Sequence, residues 1–71
     1  MIKSKVKELM SAKNITYEQL EKKTGLSSRT ITRARSHLIS ECRLSTLRLI
    51  AKELGVQISD LYEDLPDAGH K

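Results

Sequence analysis

The sequence has few of the residues that stabilise very small proteins by covalent or metal bonds. It contains one cysteine, Cys42, so it cannot form an internal disulfide. Its two histidines, His37 and His70, lie far apart and lack the spacing of metal ligands. We therefore expect no metal and no other cofactor, and a fold stabilised by side-chain packing alone.

Aromatic residues are also scarce, since Phe and Trp are absent and only two tyrosines are present. Proteins that bind single-stranded nucleic acid usually stack bases on several aromatic rings. No apolar run is long enough for a signal peptide or a membrane span, and a lone thiol suits a reducing compartment. These absences predict a soluble cytoplasmic protein with no membrane partner.

Catalytic motifs are absent too. No nucleophile is spaced with a base, and no glycine-rich loop is placed to hold a phosphate. A chain of 71 residues forms one small domain, which leaves little room for a substrate cavity. We expect neither an enzyme nor a small-molecule substrate.

Positive charge is concentrated in the first half of the chain. Residues 1–36 carry nine Lys or Arg and three Glu, whereas residues 37–71 carry four basic and six acidic residues. A basic surface attracts nucleic acid by releasing condensed counterions, but it also serves solubility or binds an acidic partner. Because aromatic residues are few, duplex DNA is the favoured nucleic acid.

Helical signals run along most of the chain. Apolar residues at helical spacing predict a first helix that begins at Ile2 and ends near Ala12 to Asn14. Thr16, with Gln19 three residues later, predicts a capped second helix over 17–24 that stops at Gly25.

The same capping pattern recurs at Ser27, which predicts a third helix over 28–36. Residues 37–44 show no clear period and suggest a loop. Ser45 is expected to cap a fourth helix that ends at Gly55. Ser59 is expected to cap a short fifth helix that Pro66 terminates.

The expected architecture is therefore an all-α, compact five-helix domain over residues 1–66, followed by a disordered tail over 67–71. The second half has more apolar residues than a core this small needs, so some are expected either in the core or on a partner surface. These residues are Leu38, Ile39, Leu61, Tyr62 and Leu65.

Two short helices joined by a tight glycine turn form the geometry that places the second helix in the DNA major groove. Short polar side chains and arginines near the start of that helix can reach base edges. The candidate DNA-binding or partner-binding residues are Ser27, Ser28, Arg29, Thr32, Arg33 and Ser36. The alternative is an ordinary solvated helix face.

Two further residues are candidates for contacts with phosphate. Tyr17 begins the second helix, where anions are attracted, although it is also suited to a half-buried position. Arg35 projects from another side of the third helix and suits either a phosphate or a salt bridge.

The segment from Ile15 to Arg33 resembles the helix-turn-helix of the phage Cro and repressor family. Leu44–Val56 and Ile58–Tyr62 are similar to that family's fourth and fifth helices. The resemblance implies a lambda-repressor-like domain, often dimeric, that regulates transcription in a phage genetic switch by binding double-stranded operator DNA in the bacterial cytoplasm. Whether this chain forms a homodimer stays open.

Three residues depart from the family pattern: Glu21, Ala34 and Arg35. Glu21 stands where alanine usually faces the turn, Ala34 replaces a larger apolar residue, and Arg35 replaces a frequent glutamate. A modified recognition unit suggests a second function, that of an antirepressor that binds a phage repressor protein and blocks its DNA binding or dimerisation.

Overall fold

Residues 1–66 fold into four α-helices, two 3₁₀ turns and a short β-ribbon. The computed structural model describes residues 1–66, so the predicted tail at 67–71 lies outside the described residues. The elements are β1 (Ile2–Ser4), α1 (Val6–Ala12), α2 (Tyr17–Thr24), α3 (Ser28–Ala34), a first 3₁₀ turn (His37–Glu41), α4 (Leu44–Leu54), a second 3₁₀ turn (Ile58–Leu61) and β2 (Tyr62–Asp64).

The all-helical, five-helix prediction is wrong at both ends of the chain. The first helix begins at Val6 rather than Ile2, and the second 3₁₀ turn with β2 replaces the fifth helix. β1 and β2 pair in antiparallel register, with Ile2 opposite Asp64. Each strand is only three residues long. No local pattern identifies such a strand, because its hydrogen-bonding partner comes from the opposite end of the chain.

One apolar cluster joins the helices to the ribbon. Helix α4 contributes Leu47, Ile50, Ala51 and Leu54, which follow one another at helical spacing. The buried members of the cluster are Val6, Met10, Leu20, Ile31, Ala34, Ile39, Leu47, Ile50, Ala51, Leu54 and Leu61. Ile39 and Leu61 therefore belong to the core. Tyr62, in contrast, is 36% exposed.

Helix α2 has both of the end signals that the sequence indicates. Thr16 Oγ1 accepts a hydrogen bond from the Gln19 N–H at 3.1 Å, and Gln19 Oε1 accepts one from the Thr16 N–H at 3.0 Å. Gly25 ends the helix with φ of +76°, in the left-handed region that glycine enters without strain. The helix therefore stops where the turn to α3 must begin.

Helix α3 is shorter than predicted. Ser27 caps it by accepting from the Thr30 N–H at 3.2 Å, but its last residue is Ala34 rather than Ser36. Ser36 instead caps the first 3₁₀ turn, where its Oγ accepts from the Leu38 N–H at 3.1 Å. Competition between two capped elements therefore ends α3 early, and the predicted loop over 37–44 contains this 3₁₀ turn.

The predicted caps at Ser45 and Ser59 are both wrong. Helix α4 already includes Leu44, so Ser45 lies inside its first turn, and Arg43 is the capping position without a side-chain bond. The second 3₁₀ turn begins after Gln57, whose N–H donates to Asp60 Oδ2 at 3.0 Å. Sequence spacing could not distinguish a cap from a first-turn position in these two segments.

A pair of matched substitutions tests these capping assignments. We expect Ser27→Ala to lower the free energy of unfolding by about 0.5 to 2 kcal/mol, because a donor at the start of α3 loses its partner. Ser45→Ala should change it by less than about 0.5 kcal/mol. Urea denaturation followed by circular dichroism measures both, and equal losses would contradict the assignments.

Candidate nucleic-acid interface

The recognition surface is built on the contact between α2 and α3. Leu20 of α2 and Ile31 of α3 are both fully buried, so packing fixes the position of one helix against the other. The opposite side of α3 and its cap remain exposed. The exposed candidates are Ser27, Ser28, Arg29, Thr32 and Arg33.

The charge on this surface is not neutralised. Arg29 and Arg33 are one helical turn apart, and neither forms an ion pair within residues 1–66. No acidic residue lies on α3. The two guanidinium groups are therefore available to an anionic partner.

The sixth candidate, Ser36, does not share this surface as predicted. It lies beyond the end of α3 and is partly buried. Its hydroxyl donates to the Arg33 carbonyl oxygen at 2.9 Å while accepting from the Leu38 N–H. These two bonds use the proton and one lone pair of the hydroxyl inside the protein, and a contact between Ser36 and DNA stays a prediction.

Tyr17, Thr32 and Arg35 form a cluster that joins the start of α2 to the end of α3. The Tyr17 hydroxyl lies 3.0 Å from Thr32 Oγ1. The Arg35 guanidinium carbon lies 4.4 Å from the centre of the Tyr17 ring, in cation–π contact. The cluster therefore holds Thr32, a candidate for base contacts, next to Tyr17 and Arg35, the two candidates for phosphate contacts.

Arg35 is more constrained than the other two arginines near this surface. Its Nε atom is buried and has no hydrogen-bond partner within residues 1–66. Arg35 also makes no ion pair in that part of the chain, so the predicted salt bridge is not formed there. Stacking on Tyr17 gives the guanidinium a fixed position without neutralising it.

The two remaining departures from the family pattern have different surroundings. Glu21 is partly buried and lines an open groove along α2 with Glu18 and Lys22. Ala34 is fully buried, and its carbonyl oxygen accepts a hydrogen bond from the Ser4 hydroxyl. Ala34 thus joins the end of α3 to the ribbon.

Sequence reasoning missed Arg43 and Thr46. Both line a cleft with Thr30 and Arg33, between α3 and the start of α4. The sequence did contain one signal for Arg43, which is a basic residue just before the predicted fourth helix. Arg43 adds a positive side chain beside Arg33, and Glu41 lines the same cleft with a carboxylate.

Cys42 lines the same cleft and is partly buried. Burial raises the pKa of its thiol above the ordinary value, while the charge of Arg33 acts in the opposite direction. The thiolate is the reactive form of cysteine, so burial disfavours reactivity here.

Metal clusters and membrane-spanning helices are both absent from residues 1–66. Within residues 1–66 no three metal-ligating side chains come together. The helices of that stretch are all too short or too polar to cross a bilayer.

Comparison with known proteins bears on the role of the recognition surface. A family model for the Cro/C1-type helix-turn-helix DNA-binding domain matches residues 5–67. The chain belongs to this family. No curated protein matches the sequence. The family match confirms the resemblance drawn from the sequence and makes this a DNA-binding domain of a transcriptional regulator.

The contact between Tyr17 and Arg35 can be measured by a double-mutant cycle. We expect Tyr17→Leu and Arg35→Gln to show a coupling of about 0.5 to 1 kcal/mol in the free energy of unfolding, because either change removes the cation–π contact. Tyr17→Phe keeps the ring and should retain that coupling. Urea titrations of the single and double variants provide the values, and additive losses would show that the contact contributes nothing.

Proposed function

We propose that the protein is a phage-type transcriptional regulator that acts in a genetic switch by docking α3 in the major groove of an operator. One observation carries the proposal. Arg29 and Arg33 stand one turn apart on the exposed side of α3, a helix that has no acidic residue. The buried side of the same helix packs against α2.

The exposed side chains differ in the groups on DNA that they can contact. Arg29 and Arg33 suit the acceptor edge of guanine or a phosphate, since a guanidinium donates two parallel hydrogen bonds. Ser27, Ser28 and Thr32 carry short hydroxyl groups that fit near base edges. Thr32 already shares a hydrogen bond with Tyr17, so its hydroxyl is oriented before DNA arrives.

Phosphate contacts are expected at the margins of the same surface. Tyr17 lies at the start of α2, and Arg35 is held on its ring. Arg43 lies on the other side, in the cleft beside Arg33. Contacts on both sides of α3 would fix the helix in the groove without reading sequence.

The DNA proposal predicts a specific effect of Arg33→Ala. We expect binding to the operator to weaken by about 1 to 3 kcal/mol and discrimination at one base pair to relax, because a base contact is lost. Fluorescence anisotropy with DNA from the gene's own upstream region, at several salt concentrations, measures this. The logarithm of the wild-type affinity should fall linearly with the logarithm of salt concentration.

Arg48→Ala is the matched control. Arg48 is exposed on α4, two residues after Thr46, and therefore projects about 200° around the helix from the cleft. It should leave operator affinity nearly unchanged. If Arg33→Ala weakens binding equally on an unrelated duplex, Arg33 contacts phosphate rather than a base. Weak and equal binding of the wild type to both duplexes would refute operator recognition.

A homodimer would place two α3 helices on two half-sites of the operator. Dimeric members of such families read half-sites one helical turn of DNA apart. The stoichiometry of the complex, from analytical ultracentrifugation with one and two half-sites, distinguishes a dimer from a monomer.

A second candidate function is that of an antirepressor that binds a phage repressor protein. The observation that favours it is the groove along α2, of about 360 Å³, whose charged lining residues are Glu18, Glu21 and Lys22 and carry one net negative charge. Carboxylates repel DNA phosphate but attract a basic surface on another protein. The basic α3 face and this acidic groove together offer both signs of charge to such a partner.

The antirepressor proposal predicts that the purified protein co-elutes with a repressor encoded beside its gene. Glu21→Lys should weaken that complex by about tenfold, since reversing one charge at a close interface contact costs on the order of 1 to 2 kcal/mol. Glu8→Lys, at an exposed position on α1, is the control. Failure to co-elute at low salt would count against this function while leaving the DNA proposal standing.

A further inference from the structure

The β-ribbon has an edge that its own two strands leave open. The backbone N–H of Lys5 donates to the Leu61 carbonyl oxygen, and the backbone N–H of Leu65 donates to the Met1 carbonyl oxygen, both at 2.8 Å. With this register, residues 61, 63 and 65 direct their backbone groups toward β1. Tyr62 and Asp64 therefore direct their N–H and C=O groups to the outer edge of β2, where the described chain has no third strand.

An apolar groove of about 460 Å³ adjoins this edge, between the ribbon, the first 3₁₀ turn and the start of α4. Its walls include Ile2, Ile39, Cys42, Leu44, Leu47 and Tyr62. Leu44 is 70% exposed, the largest exposed fraction among the large apolar residues within residues 1–66. A strand edge beside an apolar groove is the arrangement that captures extended peptides by adding a strand.

The face of the ribbon decides which side chains such a strand would need. Tyr62 and Asp64 line the groove, whereas Glu63 lies on the other face, opposite Lys3. On an added strand, the residue paired with Tyr62 would thus point toward the groove. The residue paired with Glu63 would point away from it, next to a carboxylate.

We propose that the outer edge of β2 binds an extended segment of a partner protein in which apolar residues flank a basic residue. The apolar side chains enter the groove beside Tyr62 and Leu44. The basic side chain lies next to Glu63, whose carboxylate then has a positive group on each side, since Lys3 faces it across the ribbon. Opposite charges on neighbouring strands stabilise the pairing.

A second copy of this chain fits the edge less well. The antiparallel register that overlaps all three residues of β2 with those of a second β2 places Glu63 directly opposite Glu63 of the other copy. Like charges directly opposite each other destabilise a strand pair. The charge of Glu63 therefore disfavours pairing with a second copy, as charged residues on edge strands commonly do. The same charge favours a basic segment.

This edge is separate from the surface proposed for DNA. None of the residues that line the groove is an α3 candidate. A peptide on β2 would therefore leave Arg29 and Arg33 accessible, and the inference stands whether or not the protein binds an operator.

The test uses the full chain labelled with ¹⁵N and two synthetic pentapeptides, acetyl-TVKVT-amide and acetyl-TVEVT-amide. We expect the lysine peptide to bind at least about threefold more tightly than the glutamate peptide, with the largest amide shifts at Tyr62 and Asp64. The double substitution Lys3→Glu with Glu63→Lys keeps opposite charges facing each other across the ribbon. It should reverse the preference, while Glu8→Lys should not.

Several outcomes would overturn the proposal. Equal affinity for the two peptides, or shifts confined to residues outside the groove and β2, would exclude a charge-selective edge. Equal binding of a lysine peptide that is N-methylated at its valines would show that no strand is added. Shifts at Tyr62 and Asp64 that appear with protein concentration alone would show that the occupant is a second copy.

Discussion

The burial of Leu20 of α2 and Ile31 of α3 in one apolar cluster fixes the position of the exposed surface that the two helices form. Both side chains are fully buried within a single apolar cluster, and a chain with one cysteine has no disulfide to substitute for that packing. The turn at Gly25 permits the angle between the helices, but the core maintains it. Because the core fixes α3, its outward side chains can be short and still meet DNA in a defined orientation.

The ribbon completes this arrangement from the ends of the chain. Ser4 donates to the carbonyl oxygen of Ala34, one of the groups that a helix leaves without partners at its C-terminus. Lys5 at the same time donates to Leu61, at the end of the second 3₁₀ turn. Hydrogen bonds thus connect the end of α3 to β1, and the residue after β1 to the second 3₁₀ turn. A displacement of the ribbon would therefore act directly on the end of α3.

The three arginines near α3 differ in how the structure restrains them. Arg29 and Arg33 are exposed without ion pairs in the described chain, whereas Arg35 lies over the Tyr17 ring with its Nε buried. A free guanidinium must lose conformational entropy on binding, while a stacked one has already lost part of it. Arg35 is therefore suited to positioning the domain, and the two exposed arginines are suited to adapting to base edges.

The sequence alone determined the parts of this protein that depend on local patterns. Thr16 with Gln19, Ser27 and Gly25 define the ends of the helix-turn-helix because capping and left-handed turns involve neighbouring residues. The early end of α3 is also local, because Ser36 bonds to Arg33 and Leu38, but the sequence prediction overlooked it. Only the tertiary structure decided the ribbon and the Tyr17–Thr32–Arg35 cluster. The ribbon requires hydrogen bonds between opposite ends of the chain, and the cluster depends on the angle between two helices. Such contacts are set by packing in three dimensions, which residue spacing does not encode.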